Sequence, residues 1–283
     1  MEGEMDSYPV IPTERGDDLH NLEYAEQADL ILFMAGNQFM LMPELIAAFK
    51  KTHPEVATIF YETLPPGLEL KQILAGKMQY NGRTYQIQAD VYSSVSHQAM
   101  QTLVAKGLVH SDDYFIYLHN KLALMVRKGN PKSIHSVLDL GREDVVISQP
   151  NPNYENIADH IIAMYEQAGG QTFVEKILQE KQANDTTLLT TVHHRETPQR
   201  LVLGTADAGP VWYTEIVAAE SDGLAVEGIP VAEALDQREA INYYIATLRQ
   251  GRNSENARKF LNFIRSEKAR KIFTDYGFVV PAK

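Results

Sequence analysis

Residues 29–49 read DLILFMAGNQFMLMPELIAAF, and this stretch sets the architecture. Leu30 to Met34 is a short, uniformly apolar run bounded by polar and small residues, the pattern of a strand buried on both faces. Ala35-Gly36-Asn37-Gln38 breaks the run. Leu41, Leu45, Ile46 and Phe49 then recur at helical spacing. A buried strand, a small polar loop and an amphipathic helix form the repeating unit of an α/β protein.

The same grammar continues on both sides. Val56 to Tyr61 is the next strand, followed by Glu62-Thr63-Leu64-Pro65-Pro66-Gly67 and a helix carrying Leu70, Ile73 and Leu74. Residues 78–88, MQYNGRTYQIQ, predict a hairpin that turns at Asn81-Gly82. Further strands are expected at Asp90 to Ser93, Leu122 to Val126, Val145 to Ser148, Leu188 to Val192 and Ala208 to Tyr213. A helix bearing Ile157, Ile161, Ile162 and Tyr165 should stop at Gly169-Gly170. Thr197 and Pro198 read as the N-cap and first residue of another. Ala257, Phe260, Leu261 and Ile264 share a helical face, and Ser266 is expected to cap a last helix that Gly277 ends. The first 28 residues show neither period and read as an N-terminal extension, an arm or partly disordered segment.

Composition narrows the function. The 283 residues carry 26 Lys plus Arg against 37 Asp plus Glu, a formal charge of −11 with no basic stripe, which argues against nucleic acid. A local positive site for a small anion is still compatible with that surface. No run approaches the roughly 18 to 20 apolar residues of a membrane span, so no direct membrane insertion is expected. There is no cysteine, which excludes disulfides, thiolate metal sites and cysteine nucleophiles. The start, MEGEMDSYPV, has no basic-then-apolar signal peptide pattern; an exported protein would be met here in processed form.

Residues 204–216, GTADAGPVWYTEI, resemble the molybdate-binding proteins of ABC importers, which are type 2 periplasmic binding proteins. Ala89 to Ser94 (ADVYSS), Lys121 to Pro131 (KLALMVRKGNP) and Ala257 to Pro281 (ARKFLNFIRSEKARKIFTDYGFVVP) are similar to further segments of that family, in the same order. The likeness spans roughly residues 29–283. It implies two Rossmann-like α/β lobes with mixed, mainly parallel sheets and a ligand cleft between them. Lobe I would comprise 29–118 plus 246–283, and lobe II 119–245. It also implies hinge closure on a small anion, delivery to an ABC permease in the membrane, a periplasmic or other extracytoplasmic location, and a monomer.

The physics of an open α/β sheet leads to the same site. Ligands bind beyond the carboxyl ends of the strands, where helix N-termini offer unpaired N–H groups and a positive dipole end. The strand-to-helix loops nominate Asn37 and Gln38, Thr63 and Gly67, then Asn153, Glu155 and Asn156, and finally His193, His194, Arg195 and Glu196, with Trp212 at the end of its strand. Within the resemblance, Asn37 falls where the family has an oxyanion-binding serine, and Pro66 and Gly67 where it has a second serine pair. Trp212 replaces a tyrosine. Arg195 matches a recurring arginine that could hold an anion with its fork. The hydroxyl cage is therefore missing, which favours a carboxylate or phosphorylated metabolite over molybdate or tungstate.

No cofactor is called for, and His-His-x-Glu lacks the helical spacing of zinc enzymes, so no metal is expected either. No nucleophile and base pair presents itself, so binding without catalysis is expected. Two rivals stand beside it: an enzyme on the same fold using His193 or His194 as general base with Glu62, Glu69 or Glu155, and a sensory protein that reports its ligand to a receptor.

Overall fold

A computed structural model describes residues 8–153, 155–191 and 196–282. In chain order, the elements are β1 (Val10–Ile11), β2 (Leu19–His20), β3 (Leu30–Phe33), α1 (Met42–Thr52), β4 (Ile59–Glu62), α2 (Pro66–Ala75), β5 (Lys77–Tyr80), β6 (Arg83–Gln86), β7 (Val91–Ser94), α3 (His97–Ala105) and β8 (Phe115–His119). They continue as β9 (Leu122–Arg127), β10 (Ile147–Gln149), α4 (Ile157–Glu175), α5 (Lys181–Ala183), β11 (Thr187–Leu189), α6 (Glu196–Leu203), β12 (Ala208–Trp212), α7 (Tyr213–Ser221), β13 (Val226–Pro230), β14 (Asn242–Thr247), α8 (Ser254–Ile264) and α9 (Glu267–Asp275).

The chain divides into two units. Unit 1 is 1–118, 242–275 and 280–283; unit 2 is 119–241 and 276–279. Unit 1 holds a six-stranded sheet in the order β2-β4-β3-β7-β14-β8. Its centre is parallel, β4 against β3 and β3 against β7, while β2 and β14 join antiparallel. The strands of the centre are buried along their whole length because both faces are covered. On one face Phe33, Phe60 and Tyr92 belong to a buried cluster with Ile73, Met100 and Leu103. Elsewhere in the unit Phe49 meets Phe260 and Phe263 edge-on, at ring separations of 5.2 and 5.5 Å. Unit 2 has a five-stranded sheet, β11-β10-β12-β9-β13, parallel over the first three strands and antiparallel over the last two pairings.

Four local readings differ in detail. Residues 8–28 are not a loose arm: β1 pairs with β5 and β2 with β4, at the edges of two sheets. Two-residue strands have no period to read, so the pairing is decided by the partner strand. Thr197 is not an N-cap but the buried second residue of α6, its hydroxyl 2.9 Å from that of Ser148. The chain returns to unit 1 at 242, ahead of the expected 246, and β14 joins β7 there through Tyr244 to Thr247. Residues 276–279 go with unit 2, where His119 and Val279 exchange both backbone hydrogen bonds.

The helix expected to stop at Gly169-Gly170 breaks there, with Gly170 at φ 72° and ψ −178°, and resumes to Glu175. The hairpin turns where expected. Asn81 (φ 47°) and Gly82 (φ 76°) are both left-handed between β5 and β6, the two-residue turn whose twist suits a hairpin. Gly82→Ala should cost about 1 kcal/mol in denaturant unfolding, the penalty of placing a Cβ in that region. An unchanged midpoint would show that the turn does not constrain this edge.

Candidate functional site

In unit 1, β3 and β4 end side by side, Phe33 opposite Glu62. The turn after β3 must therefore lie against the loop after β4, and a Cβ on Gly36 would come within 2.9 Å of the Thr63 carbonyl oxygen. Asn37 and Gln38 thus share one sheet end with Thr63 and Gly67. Their chemistry differs from the expectation, because most of their polar atoms face inward.

Asn37 is half-buried and its Nδ2 donates to the Tyr243 hydroxyl, from β14. Gln38 is fully buried; its Oε1 accepts from the Tyr117 hydroxyl at 2.7 Å, and that hydroxyl lies 2.7 Å from Ser93 Oγ. Thr63 is fully buried as well. Its backbone N–H donates to the Asp18 carbonyl at 3.0 Å and its hydroxyl to the Asp18 carboxylate at 3.4 Å. Both of its donors therefore serve Asp18, which the turn at Thr13–Asp18 carries. This corrects Thr63 as an open anion donor. Gly67 lies exposed in the first turn of α2, with open space where a Cβ would stand.

In unit 2, the carboxyl ends of β10, β11 and β12 lie at the same sheet end, since the three run parallel. After β10, Asn151 is held by Glu155 and Thr190: its N–H donates to Glu155 Oε1 and to Thr190 Oγ1, each at 3.1 Å. Thr190 Oγ1 also donates to Glu155 Oε1. Glu155 is therefore tied into the loop itself. Asn153 is exposed and donates its N–H to Asn151 Oδ1 at 3.0 Å; Asn156 is exposed immediately before α4.

His193, His194 and Arg195 lie outside the described residues, but both flanks of that segment are described. On one side, Thr191 N–H donates to Glu196 Oε1 at 2.8 Å. On the other, Arg200 reaches back from α6 and donates to the carbonyls of Leu188 (2.8 Å) and Leu189 (2.9 Å), and to Glu196 Oε2 (2.9 Å). Glu196 and Arg200 thus join the end of β11 to the first turn of α6.

Trp212 ends β12 and is 4% exposed. Its ring lies 5.9 Å from that of His160, in the first turn of α4. Burial lowers the His160 pKa below its ordinary value, against a smaller opposing effect of Asp159, so this ring favours the neutral form. Sequence reasoning missed His160, Asp18 and Tyr243. His160 is one residue off the apolar stripe of α4, a weak signal in hindsight, whereas Asp18 and Tyr243 meet their partners only through tertiary pairing.

Among the described residues no cluster of three His, Cys, Asp or Glu side chains could hold a metal ion, and no helix is long and apolar enough to cross a membrane. The sequence model of the bacterial extracellular solute-binding proteins matches residues 30–279. The chain belongs to that family. It is 25% identical over 222 residues to the molybdate-binding protein ModA of Mycobacterium tuberculosis, covering 76% of each chain. Its fold is that of the sulfate-binding protein SubI from the same species, at a TM-score of 0.68 and 20% identity over 88% of this chain and 85% of that one. The periplasmic molybdate-binding protein of Azotobacter vinelandii superposes with a TM-score of 0.66 and 18% identity, covering 89% of this chain and all of the other. This solute-binding protein therefore has the type 2 periplasmic binding fold.

Proposed function

We propose that this solute-binding protein captures a small organic or phosphorylated anion and delivers it to an ABC-type permease without transforming it. Family membership over residues 30–279 carries the reading, together with the oxyanion ligands named for its relatives. The proposed ligand groups are Asn37 in unit 1, with Asn153, Asn156, His193, His194, Arg195 and Trp212 in unit 2. Glu155, Glu196, Gln38 and Thr63 hold these loops in shape.

The chemistry favours an anion with a carbon body over a bare metal oxyanion. A tetrahedral oxyanion needs short hydroxyl and N–H donors on several sides. Here the hydroxyls at the strand ends face other protein groups: Thr63 faces Asp18, Ser93 faces Tyr117, and Ser148 faces Thr197. The guanidinium of Arg195 supplies paired donors suited to a carboxylate or phosphate. The Trp212 ring, beside that of His160, adds an aromatic surface at the end of β12.

The test is thermal unfolding with molybdate, tungstate, sulfate, phosphate, small carboxylates and phosphorylated carboxylates, each with a check for turnover. A ligand at 100 times its Kd adds about 2.7 kcal/mol of stability. An organic anion is expected to raise the Tm and to be recovered intact, and Arg195→Ala to abolish the rise. Strong stabilisation by molybdate or tungstate would overturn the choice of ligand class. Recovery of a product would overturn binding without chemistry.

A further inference from the structure

Beneath the loop between β4 and α2, two carboxyl groups are sealed from water. Glu62, the last residue of β4, and Glu69, in the first turn of α2, are both 0% exposed. Glu62 Oε1 accepts from Gln72 Nε2 at 2.7 Å and Glu62 Oε2 makes no hydrogen bond, while the Glu69 carboxyl has no side-chain partner and only the Leu64 backbone N–H beside it. Neither glutamate has an ion pair among the described residues. Arg15 bonds Asp18 at 3.1 Å instead.

The surroundings of the pair add negative charge. Asp18 faces it from the Thr13–Asp18 turn, with His20 and Asp17 beyond. Gln72 faces it from α2, and Tyr92 from β7 and Tyr117 from β8 face Glu69. Burial pushes both tyrosine hydroxyls up, and the charge of Glu69 would push them further, so neither offers a compensating charge. Burial also pushes both glutamates well above the usual carboxyl range; for Glu69 the neighbouring Glu62 adds to it. Two buried carboxylates with no cation cannot both stay ionised in a dry interior.

We propose that Glu62 and Glu69 form a proton-held latch on the loop at 63–67, keeping it seated while the pair retains a proton and releasing it when both ionise. The latch uses only groups of unit 1 and holds whatever solute the protein carries. The sign follows from linkage. Carboxyls whose folded pKa is raised stabilise the seated loop fully below the ordinary carboxyl range, and that stabilisation is lost as pH rises through the raised values. Opening that releases one proton becomes about tenfold more favourable per pH unit over that range.

Backbone hydrogen exchange of the full chain, corrected for the intrinsic rate at each pH, reads the opening of residues 63–69 directly. Opening is expected to rise with pH in the wild type and to flatten in Glu62→Gln/Glu69→Gln. The single variant Glu69→Gln should fall between them, and serves if the double variant does not fold. Infrared spectra should show a protonated-carboxyl C=O band persisting at neutral pH in the wild type and lost in the double variant. A pH slope that stays the same in Glu62→Gln/Glu69→Gln and in both single variants as in the wild type would overturn the latch, as would absence of that band from the wild type at neutral pH.

Discussion

Asp90→Ala is expected to destabilise unit 1 by about 3–5 kcal/mol, one of the largest effects of any single substitution outside the hydrophobic clusters. Asp90 is 1% exposed and joins three chain segments that are far apart in sequence. One carboxylate oxygen accepts from Ile31 N–H at 2.8 Å and from Asn253 Nδ2 at 3.1 Å; the other accepts from Asn253 N–H at 2.8 Å. Asn253 in turn donates to the Ala28 carbonyl at 3.0 Å. Truncation leaves the buried Ile31 N–H without its acceptor and takes one acceptor from each of the half-buried donors of Asn253, whose Nδ2 keeps the Ala28 carbonyl; each loss costs roughly 1–3 kcal/mol, partly relieved by water. Asp90→Asn keeps the shape and one acceptor oxygen, so about half the loss is expected. Urea unfolding followed in unit 1 measures both. A loss below about 1 kcal/mol for the alanine variant would mean that the segments are held by their ladders alone.

Arg200→Ala is expected to weaken ligand binding at least tenfold, although the proposed contacts come from the segment before α6. Its guanidinium is 18% exposed and serves Leu188, Leu189 and Glu196 at once, so it anchors both flanks of residues 192–195. Removing it takes the guanidinium donors from two carbonyls and from Glu196, which keeps Thr191, at a cost of about 2–3 kcal/mol. Arg200→Lys should not rescue binding, because an ammonium cannot reproduce the planar fork that spans two carbonyls and a carboxylate. Calorimetric titration with the anion found in the thermal screen, run beside melting curves, separates the two effects. An unchanged affinity at lowered Tm would confine Arg200 to stability and remove the flanking segment from the site.

The sheet-forming centre of each unit was readable because buried strands and amphipathic helices carry their period in a few neighbouring residues. Leu30 to Met34, the α1 stripe and the Asn81-Gly82 turn needed no knowledge of what they would pack against. β1, β2, β8, β13 and β14 were not readable. β1 and β2 span two residues each, and Asn242–Thr247 mixes polar and apolar positions that make sense only beside Val91–Ser94. Along the α4 to α6 region the turns were legible and the roles were not. Thr197 has the chemistry of a cap, but the helix starts a residue earlier and turns its hydroxyl onto Ser148.

The candidate site divides the same way. Its placement at strand carboxyl ends follows from the strand and helix order, which the sequence by itself determined along with the family and the absence of any thiol chemistry. Which polar groups remain open to a solute was decided by tertiary structure alone. Asp18 meets Thr63 across 45 residues and Tyr243 meets Asn37 across 206. The physical reason is that a donor's availability depends on whether some distant acceptor has already reached it, and periodicity reports burial but not partners.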